Sequence, residues 1–162
     1  MARRTSRAVA LVVILAAAGS VEAQAFENLT MAERRAVEMR RLQSDMVVAA
    51  LSCGMREEYN AATVKFMKEF ARQGEALKRL FRRTYGRDRA ERELDRFVTA
   101  LANEASARSL AHNGNYCVSA GLLFKDIMGL SPKDLAGFLR HPDSRMAPSG
   151  TPVEEIASTP TK

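Results

Sequence analysis

The strongest candidates for functional residues in this sequence lie in a basic run between positions 78 and 89. Six cationic side chains are candidates for binding an anion or a partner: Lys78, Arg79, Arg82, Arg83, Arg87 and Arg89. Clustered cations of this kind neutralise phosphates and, in a cytosolic protein, indicate nucleic acid as the partner. The same pattern is also typical of a solvated helix face that keeps a protein soluble. The second interpretation is the simpler one, whereas the first predicts a function.

Two cysteines, Cys53 and Cys117, are the next candidates for a chemical role. They lie 64 positions apart, and neither belongs to a C-x-x-C or C-x-x-C-H motif. Their spacing therefore supports neither thioredoxin-like exchange nor covalent haem attachment. An even pair of cysteines in an oxidising compartment usually forms a structural disulfide. We predict that disulfide, with free thiols and metal ligation as the alternatives.

Isolated polar residues on apolar helices are weaker candidates. Glu104 lies among small residues, and a buried helical Glu can act as the general acid of an enzyme that cleaves cell-wall glycans. We expect instead an interhelical hydrogen bond, or a salt bridge from Glu104 to Arg108 one turn later. Gln73 and His112 would matter only if they lined a pocket. No other catalytic or phosphate-binding pattern is present, so we predict no catalytic residue, no cofactor and no metal site.

The compartment decides between these interpretations. Three arginines precede an uncharged apolar run, residues 8–18, and small residues follow at Ala23 and Ala25. This order is typical of a secretory signal peptide, so we predict that residues 1–25 are cleaved after Ala23 or Ala25. The protein is then periplasmic or secreted, and no later segment is apolar enough to predict a transmembrane helix. Export excludes nucleic acid and leaves an envelope protein or an anionic envelope surface as the partner.

Cleavage also changes the charge balance. The whole chain of 162 residues carries a net charge of +6. The mature chain would keep 22 basic and 18 acidic residues, a net charge of +4. Residues 65–92 contain ten basic and four acidic residues, which gives +6 for that segment alone. The rest of the mature chain is therefore slightly acidic, and the positive charge is concentrated in one helix and the turn after it.

The elements that position these residues are predicted to be helices. Apolar residues recur at steps of three and four, and no segment shows sustained strand alternation. Capping patterns divide the chain into helices that begin near Thr30, Asn60, Asp88, Asn115 and Ser131. We therefore predict an all-α fold, a compact bundle of four helices plus a short C-terminal helix.

Three details of this fold follow from composition. Residues 46–53 are apolar on every side, so we expect them at the centre of the core, with residues 31–41 projecting as a solvated extension. Gly74 lies at the edge of a buried stripe, where another backbone is expected to approach. The helical domain spans residues 26–141, and residues 142–162 are rich in Pro, Ser and Thr and are predicted to be a disordered tail.

Four segments resemble a group of small exported proteins from alphaproteobacteria that are themselves uncharacterised. These segments are residues 42–53, 59–60, 101–106 and 116–117. The resemblance covers about residues 42–117. It implies export and a disulfide, and it implies no activity.

These observations lead to one functional hypothesis with two alternatives. The leading hypothesis is an exported, non-catalytic helical protein that binds a protein or an anionic envelope surface through its basic helix and turn. The first alternative is a carrier of a small molecule or a lipid, with a pocket between helices. The weaker alternative is an enzyme that cleaves cell-wall glycans. The sequence predicts no oligomeric state.

Overall fold

Five helices account for most of the residues that the structure, a computed structural model, describes: 28–111 and 115–139. They are α1 (Met31–Ser52), α2 (Arg56–Tyr85), α3 (Arg87–Ala111), α4 (Asn115–Gly129) and α5 (Leu135–Phe138). The predicted all-α fold of four packed helices and a short fifth is confirmed. The predictions for residues 1–25, residues 142–162 and His112 lie outside the described residues.

The first helix begins at the predicted capping box. The Glu33 N–H donates to the Thr30 hydroxyl at 3.2 Å, and the Thr30 N–H donates to the Glu33 carboxylate at 2.9 Å. These bonds satisfy backbone donors that the first turn of a helix leaves free. Glu33 also accepts from Arg83 at 2.7 Å, which ties the start of α1 to the end of α2. The bonds from Thr30, with a smaller effect of Arg83, hold the pKa of Glu33 below its ordinary value of 4.5.

The helix predicted near Asn115 begins there, but two other starts differ from the predicted residues. α2 begins at Arg56 rather than Asn60, and no side chain caps it. α3 begins at Arg87, so the expected cap at Asp88 lies inside the helix. The cause is Gly86, whose φ of 75° reverses the chain between α2 and α3 within one residue. The fifth helix is also shorter than expected, because a turn occupies residues 132–134 before it.

The four long helices form two hairpins that lie side by side in the same direction. Three interhelical contacts each join residues 63 positions apart: Arg41 with Glu104, Asp45 with Arg108, and Lys65 with Met128. A constant offset means that α1 runs parallel to α3. Contacts of Met55 with Gly121 and of Lys65 with Met128 show the same for α2 and α4. The chain therefore alternates in direction from one helix to the next.

The disulfide joins the two hairpins at one end. The Cys53 and Cys117 Sγ atoms are bonded at 2.04 Å, with their Cα atoms 5.5 Å apart. Cys53 follows α1, and Cys117 lies in the first turn of α4. The predicted disulfide is confirmed in this structure, and it ties the C-terminal end of α1 to the N-terminal end of α4 as expected.

The core divides into two clusters along the bundle. The larger cluster lies toward the disulfide and includes the fully buried side chains of Met39, Met46, Phe66, Phe124 and Ile127. The smaller cluster lies toward the α2–α3 turn and includes Ala36, Val37, Leu77, Leu80 and Phe81. Between the two clusters along α2, the buried Gln73 amide donates to the Glu69 carboxylate at 2.7 Å. This bond satisfies two polar groups that would otherwise be costly to bury.

One expectation about α1 was wrong, and another was right only in part. Residues 31–41 do not project, because Ala36, Val37 and Met39 are buried against the neighbouring helices. The segment 46–53 contributes Met46 and Ala49 to the core as expected, but it is not enclosed on every side, since Val47 is 39% exposed and Leu51 is 66% exposed. Three helices pack around α1, and its remaining side faces solvent. That segment therefore has more apolar side chains than the core buries.

The expected close approach at Gly74 was also wrong, and this leads to a stability prediction. A Cβ atom built on Gly74 meets nothing within 4 Å. Gly74→Ala should therefore raise the free energy of unfolding by about 0.5–1 kcal/mol, because alanine favours the helix and restricts the unfolded chain. Urea unfolding followed by circular dichroism measures the change. Gly86→Ala is the control and should lower stability, and a decrease for Gly74→Ala would contradict the open space around that residue.

The disulfide should supply a large share of the stability. Replacing both Cys53 and Cys117 by serine frees a loop whose ends lie 64 residues apart. Loop-closure entropy then predicts a loss of about 4 kcal/mol in the free energy of unfolding. Chemical denaturation of the double variant, compared with the oxidised and the reduced wild-type protein, tests this value. A loss below about 1 kcal/mol in both comparisons would show that the unfolded chain is not constrained as the loop model requires.

Candidate binding groove and buried ionic cluster

An open groove of about 680 Å³ lies between α2 and α3 near their shared turn. Lys78 and Arg82 form one wall, because positions four apart share a face of α2. The same spacing places three α3 side chains on the other wall: Arg87, Glu91 and Asp95. The buried Ala90 and the half-buried Leu94 form an apolar floor. One turn residue, Gly86, therefore brings two charged helix faces together.

The structure brings together three of the six cations that the sequence singled out. Lys78, Arg82 and Arg87 line the groove, whereas Arg79, Arg83 and Arg89 do not. Arg83 is taken up by its ion pair with Glu33, and Arg79 and Arg89 are exposed outside the groove. The basic run is therefore not a single binding face.

The groove presents charges of both signs, and most of them are unpaired among the described residues. Lys78 is paired with Glu75 at 2.8 Å, and the bond from Lys78 holds the pKa of Glu75 below its ordinary value. Among the described residues, Arg82 and Arg87 form no ion pair within 4 Å, and none joins the two walls. A guanidinium can form two parallel hydrogen bonds with one carboxylate. The groove can therefore bind carboxylates near the turn and cations beside Glu91 and Asp95.

Sequence reasoning missed the acidic half of this groove. Glu91 and Asp95 follow Arg87 at intervals of four residues, which is the spacing of a single helix face. That spacing was visible in the sequence, but Glu91 was counted only in the net charge of residues 65–92, and Asp95 was not considered. Positions on a helix face, rather than the sum over a segment, decide which charges a ligand meets.

Glu104 does not have the environment of a general acid. Its side chain is 51% exposed and accepts from Arg41 of α1 at 3.3 Å, so the expected interhelical hydrogen bond is confirmed and the alternative, a salt bridge to Arg108, is not formed. Arg108 instead donates to Asp45 on α1. The reason is burial. The Asp45 side chain is only 6% exposed, so leaving its charge unpaired would cost far more free energy than leaving Glu104 unpaired.

Asp45, Arg108 and Tyr116 form a buried ionic cluster where α1, α3 and α4 meet. Burial raises the pKa of Asp45, and the guanidinium of Arg108 opposes that shift. The Tyr116 hydroxyl is buried and has no hydrogen-bond partner among the described residues. Burial, with a smaller effect of the Asp45 carboxylate, raises the pKa of Tyr116 to about 12. Sequence reasoning missed Asp45, although a lone carboxylate before an apolar segment was a visible signal.

The remaining candidates do not join either site. Gln73 is buried in its bond to Glu69 and does not line the groove. Within the part of the chain that the structure describes, no three His, Cys, Asp or Glu side chains are placed to hold a metal ion. Over the same residues, no helix is both long and apolar enough to cross a membrane.

Comparison of the chain with protein-family models, curated proteins and solved structures found no match. The resemblance of residues 42–117 to exported alphaproteobacterial proteins therefore stays a prediction. The geometry of the described residues is what supports a functional proposal.

Tyr116 should give the protein a measurable pH dependence. The tyrosine pKa is ordinarily 10.0, and it is about 12 for Tyr116 in the folded protein. Between these values the unfolded chain loses the phenol proton and the folded chain keeps it, so the free energy of unfolding falls as pH rises. Urea unfolding from pH 9 to 12 should show this fall for the wild-type protein, and a smaller one for Tyr116→Phe.

The absorbance of tyrosinate near 295 nm provides an independent readout. Tyr116→Phe should remove the latest step of the spectrophotometric titration of the folded protein. Tyr59→Phe is the matched control and should leave that step in place. If the two variants lost the same step, the burial of the Tyr116 hydroxyl would be contradicted.

Proposed function

We propose that this protein is an exported, non-catalytic binding protein that holds a mixed-charge segment of another protein between α2 and α3. The observation that carries this proposal is the groove with opposed, unpaired charges. Arg82 and Arg87 offer two guanidinium groups to acidic side chains, and Glu91 and Asp95 complement cations on the same segment. Complementary charges of both signs fix the orientation of a partner as well as its affinity.

A flat anionic surface fits this site less well than a protein segment does. The groove is concave, and two of its five charged side chains are carboxylates that repel anionic headgroups. A flat anionic surface would need the cations on one side of the protein. They are instead divided among different faces, since Arg83 pairs with Glu33 of α1. The apolar floor of Ala90 and Leu94 adds an area that a protein side chain can cover.

Export is part of the proposal and is supported by two observations. Residues 1–25 have the order of basic, apolar and small residues of a secretory signal peptide. The Cys53–Cys117 disulfide is typical of proteins that fold in an oxidising compartment. An envelope or secreted protein is therefore the proposed class of partner.

A pair of charge-matched variants tests the groove. The groove variant combines Lys78→Glu, Arg82→Glu and Arg87→Glu. The control variant combines Arg79→Glu, Arg89→Glu and Arg92→Glu, which are exposed cations of the same two helices outside the groove. Both variants change the net charge equally. Each immobilised protein is exposed to an envelope extract of the producing cells, and the bound proteins are measured at several salt concentrations.

The groove variant should retain at least tenfold less of the specific partner than the wild-type protein, because three charged hydrogen-bond donors are reversed. The control variant should retain nearly all of it. Equal losses in both variants would show that binding depends on net charge alone and would contradict the groove. Vesicles of anionic phospholipid form a second arm, and tight vesicle binding that only the groove variant loses would indicate a lipid surface in place of a protein.

A further inference from the structure

A second pocket, of about 440 Å³, lies between α1 and the segment that joins α4 to α5. Arg35 contributes the α1 side, and Leu130, Lys133, Asp134 and Phe138 contribute the other. This pocket shares no lining residue with the groove between α2 and α3. Its volume falls within the range of about 300–1,000 Å³ that is usual for sites that bind small molecules.

Arg35 is the residue that makes this pocket chemically specific. The residue is half-buried, its Nε atom is fully buried, and it has no hydrogen bond or ion pair with any described residue. Arg40 and Arg41 also have a buried Nε atom without a partner, but each donates through a terminal nitrogen, Arg40 to Gln43 and Arg41 to Glu104. An arginine cannot escape burial by losing its proton. A partly desolvated cation without a partner is complemented best by an anion.

The rest of the pocket defines the class of that anion. Lys133 adds a second positive charge, and it is exposed at the pocket. The Asp134 carboxylate also lines the pocket and accepts from the Ser131 hydroxyl at 2.6 Å, so two cations and one carboxylate leave the pocket with one net positive charge. The half-buried Leu130 and Phe138 supply apolar surface beside the two cations. A ligand with one carboxylate and an apolar body matches this arrangement.

We propose that this pocket binds a small amphipathic monocarboxylate. The carboxylate lies against Arg35 and Lys133, and the apolar body packs against Leu130 and Phe138. The site acts independently of the groove, so the protein carries a small-molecule site next to a surface for a protein partner.

Octanoate is a suitable probe, and isothermal titration calorimetry on the purified protein measures its binding. One saturable site per chain is expected. Arg35→Gln should weaken the affinity for octanoate at least tenfold, because a charged hydrogen bond is lost. The matched control is Arg34→Gln, which removes the neighbouring exposed charge of the same helix and should change the affinity less than twofold. Acetate and 1-octanol, which lack the apolar body and the carboxylate respectively, should each bind at least tenfold more weakly than octanoate.

A second variant keeps the proposal testable if Arg35→Gln does not fold. Ala136 lines the pocket, so Ala136→Leu fills it while Arg35 stays in place, and this variant should also lose octanoate binding. The groove variant of Lys78, Arg82 and Arg87 should bind octanoate as the wild-type protein does. The proposal is overturned if octanoate shows no saturable binding, if 1-octanol binds equally well, or if the groove variant alone loses octanoate.

Discussion

A buried carboxylate is stable only beside a cation, and the pairing of Asp45 with Arg108 determines how α1 and α3 are aligned along their axes. Two short connections make α1 and α3 parallel, and the bond from Arg108 of α3 fixes the offset between them; Arg41 and Glu104 pair one turn away with the same offset. Removing either member of a buried pair leaves an uncompensated charge, which is far more costly than losing a surface ion pair. With α1 and α3 in this register, the short turn at Gly86 then determines which α2 and α3 residues face each other across the groove.

The two ends of the bundle have different properties as a result. The end with the disulfide contains the larger apolar cluster, and three helices contribute to the ionic cluster near it. The end with the α2–α3 turn has a smaller core and carries the charged groove. The disulfide and the ionic cluster thus hold one end of the molecule, while the opposite end is tied by the ion pair of Glu33 with Arg83 and presents side chains to a partner. The pocket at Arg35 lies near the start of α1, and residues of α5 and the segment before it complete its lining.

The helical fold and the disulfide could be predicted from the sequence because both depend on local or pairwise signals. Apolar periodicity predicted the helices, and an even pair of cysteines left few partners to choose from. Helix starts were less predictable. Asn60 and Asp88 matched capping patterns, but α2 begins directly after Met55 and α3 begins directly after Gly86. A local pattern predicts that a helix exists better than it predicts the residue at which the helix begins.

The groove could be predicted only in part, because pairing between helices is not encoded locally. Arg83 belonged to the basic run by sequence, yet Glu33, fifty positions earlier, takes it up. Arg35 belongs to residues 31–41, which were expected to form a solvated extension, and only the position of residues 130–138 beside α1 gives it a pocket. Which cations stay unpaired depends on contacts over long separations, and no single-sequence pattern reports them.

The single-residue connection at Gly86 has a consequence for assembly. Each hairpin is a continuous unit, so two copies of the chain can in principle exchange their α3–α4 hairpins by straightening at that residue, as in domain swapping. The Cys53–Cys117 bond closes a covalent ring that contains Gly86 and links each hairpin to its own partner. Once that bond has formed within one chain, the hairpins of that chain cannot exchange, whereas in a swapped pair the same two cysteines would join one copy to the other.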